Sequence, residues 1–187
     1  MQLETERLIM REFMEDDWPV VLAYQNDPLY LRYYHWTERT CEDVQAFVEM
    51  FLSFQQERPR RNFQLAVTLK HNGQVIGNCG VRVNNPQLRE ANIGYELASA
   101  YWGKGYATEA AREILRFGFT ALDMHRIWAV TIAENKGSAR VLEKLGMRLE
   151  ACEREKEWIK DRWHDRLTYA IIDHEWQALQ LKTGTES

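Results

Sequence analysis

Trp102-Gly103-Lys104-Gly105-Tyr106-Ala107-Thr108-Glu109-Ala110 is a glycine-spaced turn that runs straight into an amphipathic helix. Helix starts leave backbone N–H groups without intrahelical partners and carry a partial positive charge. A phosphate placed there gains hydrogen bonds and a favourable dipole, about 0.3–1 kcal/mol per charge near a surface. The small residues Gly103, Gly105 and Ala107 let a ligand approach that backbone. Ala107, Ala110, Ala111, Ile114, Leu115, Gly118 and Leu122 then recur at the three-and-four spacing of one buried helix face. The stretch reads as a diphosphate cradle resting on a core helix.

The same spacing excludes commoner phosphate loops. A Walker loop needs a glycine five positions before its Gly-Lys pair and a hydroxyl after it, whereas Ala98 and Gly105 stand there. A dinucleotide fingerprint needs a third glycine where Thr108 stands, and the alternating strand–helix units it belongs to are missing elsewhere.

With 187 residues, 45% hydrophobic and 28% charged, the chain suits one globular domain able to bury a core. The expectation is a single domain over 1–187, with its core at about 5–176 and a tail at 177–187. No run of eighteen apolar residues suits a membrane span, and the acid-bearing start has no apolar signal region, so the default location is cytoplasmic. A net charge of −4 disfavours a nucleic-acid partner. Cys41, Cys79 and Cys152 are odd in number and widely spaced, and read as small buried or half-buried thiols rather than a disulfide framework or metal cluster. The five histidines show no i, i+4 pairing, so no metal is expected. Arg58, Arg60 and Arg61 read as a solvated loop around Pro59; contact with a cofactor phosphate or an acidic substrate is the alternative.

Outward from the cradle, residues 6–13 alternate as a strand does, and Asp16 or Asp17 is placed to cap a helix that Pro28 interrupts. Thr40 and Asp43 form a capping pattern before the apolar stripe Val44, Phe47, Val48, Phe51 and Leu52. Residues 63–69 and 74–83 are β-rich and joined through Asn72-Gly73, a hairpin turn pair. Further strands are expected at 91–97, 126–132, 148–158 and 162–172, with a short helix at 136–145 closed by Gly146. The fold class is α+β: one mixed sheet covered by helices.

In this order, the motifs resemble the GNAT superfamily of N-acetyltransferases. Within it they resemble the branch that acetylates N-terminal alanine or serine of ribosomal proteins. The resemblance spans nearly the whole chain: Thr5-Glu6-Arg7-Leu8, Asn26-Asp27-Pro28, Ile93-Gly94-Tyr95-Glu96-Leu97, the glycine turn, Asn135-x-x-Ser138, Leu145-Gly146-Met147 and Tyr169 through Glu175-Trp176. It implies a mostly antiparallel sheet of about seven strands, helices on both faces and splayed central strands. Acetyl-CoA is the implied cofactor, held by Trp102, Gly103, Lys104, Gly105, Tyr106, Ala107 and Thr108, by the backbone of Tyr95, Glu96 and Leu97, and by Asn135 and Ser138. Trp102 replaces the Gln or Arg that usually opens the superfamily's pyrophosphate motif.

The implied reaction needs a deprotonated amine, a polarised carbonyl and a proton for the leaving thiolate. Many relatives carry a carboxylate near the position of Asn92, and an amide does not accept that proton. In the ribosomal-protein branch the base is a glutamate that falls on Glu157, with Glu96 the second candidate; alternation of Glu153, Glu155 and Glu157 also suits a solvent-facing strand side. Leu142 stands where many relatives have a proton-donating tyrosine, and Ser138 resembles the branch's substitute. Tyr33, Tyr34 and Trp36 fall where the family walls its acceptor pocket, which suits a cationic amine. The resemblance implies direct acetyl transfer to a primary amine, first of all a protein or peptide N-terminus. A polyamine, aminoglycoside or amino-acid-like acceptor, or a catalytically silent acyl-CoA-binding module, are the alternatives, and the quaternary state is a monomer or homodimer.

Overall fold

The computed structural model describes residues 1–184. Its strands are β1 (Gln2–Glu4), β2 (Leu8–Glu12), β3 (Asn62–Leu69), β4 (Val75–Asn85), β5 (Glu90–Leu97), β6 (Arg126–Ile132), β7 (Arg148–Ile159) and β8 (Arg162–Ile172). They form one eight-stranded sheet in the order β1-β2-β3-β4-β5-β6-β8-β7. Neighbouring strands are antiparallel except β5 and β6, which pair in parallel over only Glu90↔Arg126, Ala91↔Ile127 and Asn92↔Trp128. Beyond Asn92 the two strands part. The expected central splay is therefore present.

Helices cover both faces: α1 (Trp18–Gln25), α2 (Pro28–Leu31) and α3 (Cys41–Gln56) on one, α4 (Tyr106–Thr120), α5 (Lys136–Lys144) and α6 (Asp173–Gly184) on the other. Strand alternation sends Leu65, Val67, Cys79, Val81 and Ile93 to the second face, where Ala110, Ala111, Ile114 and Leu115 of α4 meet them. Gly118 permits that approach, since a Cβ there would come within 2.6 Å of Ile127 Cδ1. On the first face Val21, Val44, Val48 and Phe51 pack on Ala66 and Val75. The Thr40–Asp43 capping box forms, with reciprocal bonds of 3.0 and 3.1 Å, and starts α3. Gly73, at φ +72°, makes the expected turn between β3 and β4.

Several elements differ from the sequence reading. There are eight strands because β1 forms ahead of a break at Thr5 to Arg7, where Thr5 Oγ1 and Arg7 N turn to Glu109. Asp17 does not cap α1; its carboxylate takes a two-point ion pair from Arg11 at 2.7 and 2.8 Å. Pro28 opens a new helix behind Asp27, whose carboxylate accepts the Leu29 N–H. Residues 177–184, expected as tail, continue α6; 185–187 lie outside the described residues. Cys79 is buried, but Cys41 and Cys152 are exposed. No helix among the described residues is long and apolar enough to cross a membrane.

Candidate active site

The splay between β5 and β6 continues into the glycine turn, and together they line a cleft of about 420 Å³. Gly103 and Gly105 both adopt left-handed backbone, at φ +73° and +84°, a conformation costly for residues with a Cβ. Gly105 caps α4 with no side chain, and the first intrahelical bond joins Glu109 N–H to the Gly105 carbonyl at 3.0 Å. The N–H groups of Tyr106, Ala107 and Thr108 therefore precede that ladder. A Cβ at Gly103 would meet nothing within 4 Å, so the turn leaves room for a ligand against its backbone. Trp102 pins the turn to the end of β5 by donating its indole N–H to the Leu97 carbonyl at 2.7 Å.

The start of the chain braces this turn. Thr5 Oγ1, Arg7 N and Arg7 Nε donate to Glu109 at 2.6, 2.9 and 2.7 Å, and Arg7 Nη1 donates to the Lys104 carbonyl at 3.0 Å. The Arg7 guanidinium also stacks over Tyr106, 4.4 Å from the ring centre. Burial raises the Glu109 pKa, but the Thr5 and Arg7 donors outweigh it and leave it lowered.

On the α4 side of the cleft, Asn135 caps α5 by accepting the Ser138 N–H at 3.1 Å. Ser138 Oγ lies 3.0 Å from the Tyr95 hydroxyl, which also donates to the Ser138 carbonyl at 3.1 Å. Burial raises the Tyr95 pKa more than the Ser138 contact lowers it, so the phenol stays protonated. Leu142 is fully buried in the core. The cleft lining also takes in Arg32, Tyr101, Gly137, Arg140, Val141 and Lys144, which the sequence reading did not single out. Arg140 and Lys144 had a legible signal: two cations one helical turn apart, on the helix that Asn135 caps.

On the opposite sheet face, Glu96 gathers side chains from α1, α2, β4 and the loop after α2. Its Oε1 accepts from Tyr24 OH at 2.8 Å, Gln25 Nε2 at 2.9 Å and Asn78 Nδ2 at 2.6 Å; its Oε2 accepts from Tyr30 OH at 2.5 Å and Tyr34 OH at 3.4 Å. All are neutral donors. Among the described residues no cation forms a salt bridge with Glu96 within 4.0 Å, and the buried Gln25 Oε1 beside it has no hydrogen-bond partner. Burial first, then the Glu96 charge, pushes the Tyr24, Tyr30 and Tyr34 hydroxyls upward, which keeps them donating. Tyr30, Tyr34 and Trp36 stack in series with ring centres 4.4 and 4.7 Å apart. Tyr30, Tyr33, Tyr34 and Glu96 line the cleft, while Trp36 stands behind Tyr34 and is not in the lining.

Glu157 lies elsewhere. It is absent from the cleft lining, and its carboxylate meets Arg166 Nη1 at 3.4 Å, while the same guanidinium holds Glu153 at 2.6 Å. The expected alternation of Glu153, Glu155 and Glu157 is broken, because β7 bulges there and Glu155 takes φ +50°. The hairpin still abuts the aromatic loop, since Lys160 Nζ donates to the Trp36 carbonyl at 2.7 Å. Asn92 bonds Asn84 and Arg82 through its amide. Of the arginine cluster, Arg60 grips Glu12 at 2.6 and 3.0 Å and Arg58 bonds backbone carbonyls. No His/Cys/Asp/Glu group among the described residues is arranged to hold a metal.

With this geometry in place, the comparisons with known proteins are specific. Residues 7–148 match the acetyltransferase (GNAT) domain family. The chain is 34% identical to the uncharacterized N-acetyltransferase YnaD of Bacillus subtilis, covering 94% of this chain and 99% of that protein. It is 31% identical to the uncharacterized N-acetyltransferase p20 of Bacillus licheniformis, over 93% and 97%. The crystal structure of a GNAT-family acetyltransferase from Bacillus anthracis superposes with a TM-score of 0.80 at 31% identity, covering 93% of this chain and 99% of that one. At lower identity the matches carry different acceptor names: a putative ribosomal N-acetyltransferase of B. subtilis and spermidine N(1)-acetyltransferase of Escherichia coli. The bare glycine turn, the free start of α4 and the splayed strands fit the diphosphate and arm of acetyl-CoA, the donor this domain uses. The chain belongs to the GNAT family and is an acetyl-CoA-dependent N-acetyltransferase.

Proposed function

We propose that the protein transfers acetyl directly to a primary amine held at Glu96, the acceptor being the N-terminal amine of a protein or peptide. The observation that carries this reading is the Glu96 carboxylate, which lines the cleft and accepts only from neutral donors. A partly buried anion without a cationic partner favours a ligand that brings one. The stacked Tyr30 and Tyr34 rings beside it suit the same charge.

Bound acetyl-CoA would supply the acetyl group as a thioester, with coenzyme A as the leaving thiol. The N–H groups at the start of α4 bind its diphosphate, and Asn135 holds α5 in register beside it. Glu96 Oε2 takes the amine proton: its contact to Tyr34, the longest of the set at 3.4 Å, is the one an amine N–H displaces. An N-terminal amine has a pKa of about 7.7–8.0 against about 10.4 for lysine, so a carboxylate base suffices for it. Tyr95 and Ser138, on the other face of β5, offer hydroxyl protons where the superfamily's usual tyrosine is replaced by Leu142.

An acyl-cysteine route is disfavoured. Burial pushes Cys79 up to about 12, and neither Cys41 nor Cys152 lines the cleft. The spermidine-acetylating relative supports a polyamine as the second reading. Thiol release from acetyl-CoA, measured with N-terminal peptides, spermidine and aminoglycosides, separates the readings. Turnover with peptides at the highest kcat/KM supports the proposal, and cofactor binding without turnover on any amine overturns it in favour of a silent binding module.

A further inference from the structure

On the sheet face that carries Glu96, a second charged group stands at the far end of a one-way run of hydrogen bonds. Arg82 Nη2 donates to Gln64 Oε1, Gln64 Nε2 to Asn78 Oδ1 and Asn78 Nδ2 to Glu96 Oε1, each at 2.6 Å. Gln64 and Asn78 are almost fully buried, so both amides are locked with their oxygens toward the cation and their N–H groups toward the anion. The two charges are joined without touching.

Arg82 is left short of partners. Its Nη1 finds only Asn92 Oδ1, at 3.5 Å. The half-buried Arg11, Arg60, Arg126 and Arg166 each reach a carboxylate; among the described residues Arg82 reaches none. Burial lowers its pKa by more than the nearby Cys79 and Glu96 raise it. A guanidinium withdrawn from water and given two amide oxygens is an incomplete anion site.

Beside it, next to the cleft but outside its lining, there is room for a small group. Gly94 sits on β5 between Asn92 and Glu96 on the same face, opposite Gly80 on β4, at the point where β5 has already left β6. Gly94 is half-exposed, and a Cβ there would meet only Arg82 Nη1, at 3.3 Å. The bare patch therefore has Arg82 against it and Glu96 next along the strand, about 7 Å on.

We propose that Arg82 is a specificity residue that binds a carboxylate of the acceptor, so the preferred acceptor is an amine carrying a carboxylate a few bonds from its nitrogen. This rests on Glu96 holding the amine. Arg82 keeps Nη2 on Gln64 and gives Nη1 to the ligand in place of Asn92. The carboxylate is either an acidic side chain next to a polypeptide N-terminus or the terminal carboxylate of a short amino-acid-like molecule. A polyamine brings positive charge to the same spot and is repelled.

The test compares kcat/KM within two pairs whose amines are alike: Ala-Glu against Ala-Gln peptides blocked at the C-terminus, and a free dipeptide against its C-terminal amide. The carboxylate member of at least one pair should win by about tenfold or more, mainly through KM. The responding pair identifies the source. In Arg82→Gln the ratio should fall to about one, and Arg82→Lys should retain most of it, with coenzyme A binding measured by calorimetry as the check on folding. Equal kcat/KM within both pairs in the wild-type protein overturns the proposal whatever the variants do, and so does a ratio that survives Arg82→Gln. Acetylation of amines without carboxylate preference leaves the parent reading standing, whereas no transfer to any amine removes both.

Discussion

Tyr95 and Glu96, adjacent on β5, project to opposite faces of the sheet: the phenol meets Ser138 at the start of α5, and the carboxylate meets Tyr24, Gln25 and Tyr30 from α1 and α2. The strand's two-residue alternation thus puts a phenol and a carboxylate on either side of one splayed edge.

The Tyr95–Ser138 contact should act in turnover. Tyr95→Phe and Ser138→Ala should each lower kcat by about tenfold or more with little change in the KM for acetyl-CoA, and the double variant should lose less than the product of the two. Steady-state kinetics of the four proteins checks this. Fully additive losses, or losses confined to KM, would assign both hydroxyls to structure alone.

Gly105 should be intolerant of a side chain for two reasons. Its φ of +84° disfavours any Cβ by about 1–2 kcal/mol, and that Cβ would lie 3.3 Å from Arg7 Nη2, the group that braces the turn. Gly105→Val should weaken coenzyme A binding at least tenfold by calorimetry while the far-ultraviolet circular dichroism stays native. Unchanged affinity would remove the turn from diphosphate binding.

The Glu109 brace carries a pH signature. Its folded pKa is lowered, so its pairing stabilises the fold fully above about pH 4.3, the ordinary glutamate value, and the contribution is lost as pH falls through the lowered pKa. Glu109→Gln should melt lower than the wild type at pH 7, by about 2–4 °C per kcal/mol lost, and the gap should narrow as pH falls below about 4.3. A gap that is constant with pH would contradict the assignment.

Local features were legible because their causes are local. The cradle, the Thr40–Asp43 box and the Asn135 cap each rest on residues a few positions apart. The Glu96 cluster was not legible, because its donors Tyr24 and Tyr30 lie 72 and 66 positions away and only the packing of α1 and α2 on the sheet brings them there. Glu157 followed from family position alone, while the alternation of Glu153, Glu155 and Glu157 suited a solvent-facing side, and the bulge at Glu155 redirects that alternation. β1 escaped notice because its three residues, Gln2, Leu3 and Glu4, look like a polar leader until β2 pairs with them.

The most direct measurement is the pH profile of kcat/KM for peptide N-terminal acetylation in wild type, Glu96→Gln and Glu157→Gln. Glu96→Gln should lose about a hundredfold across the profile, with coenzyme A affinity retained, and Glu157→Gln should lose less than about threefold. A wild-type profile in Glu96→Gln, with the loss appearing in Glu157→Gln instead, would contradict the placement of the acceptor amine at Glu96.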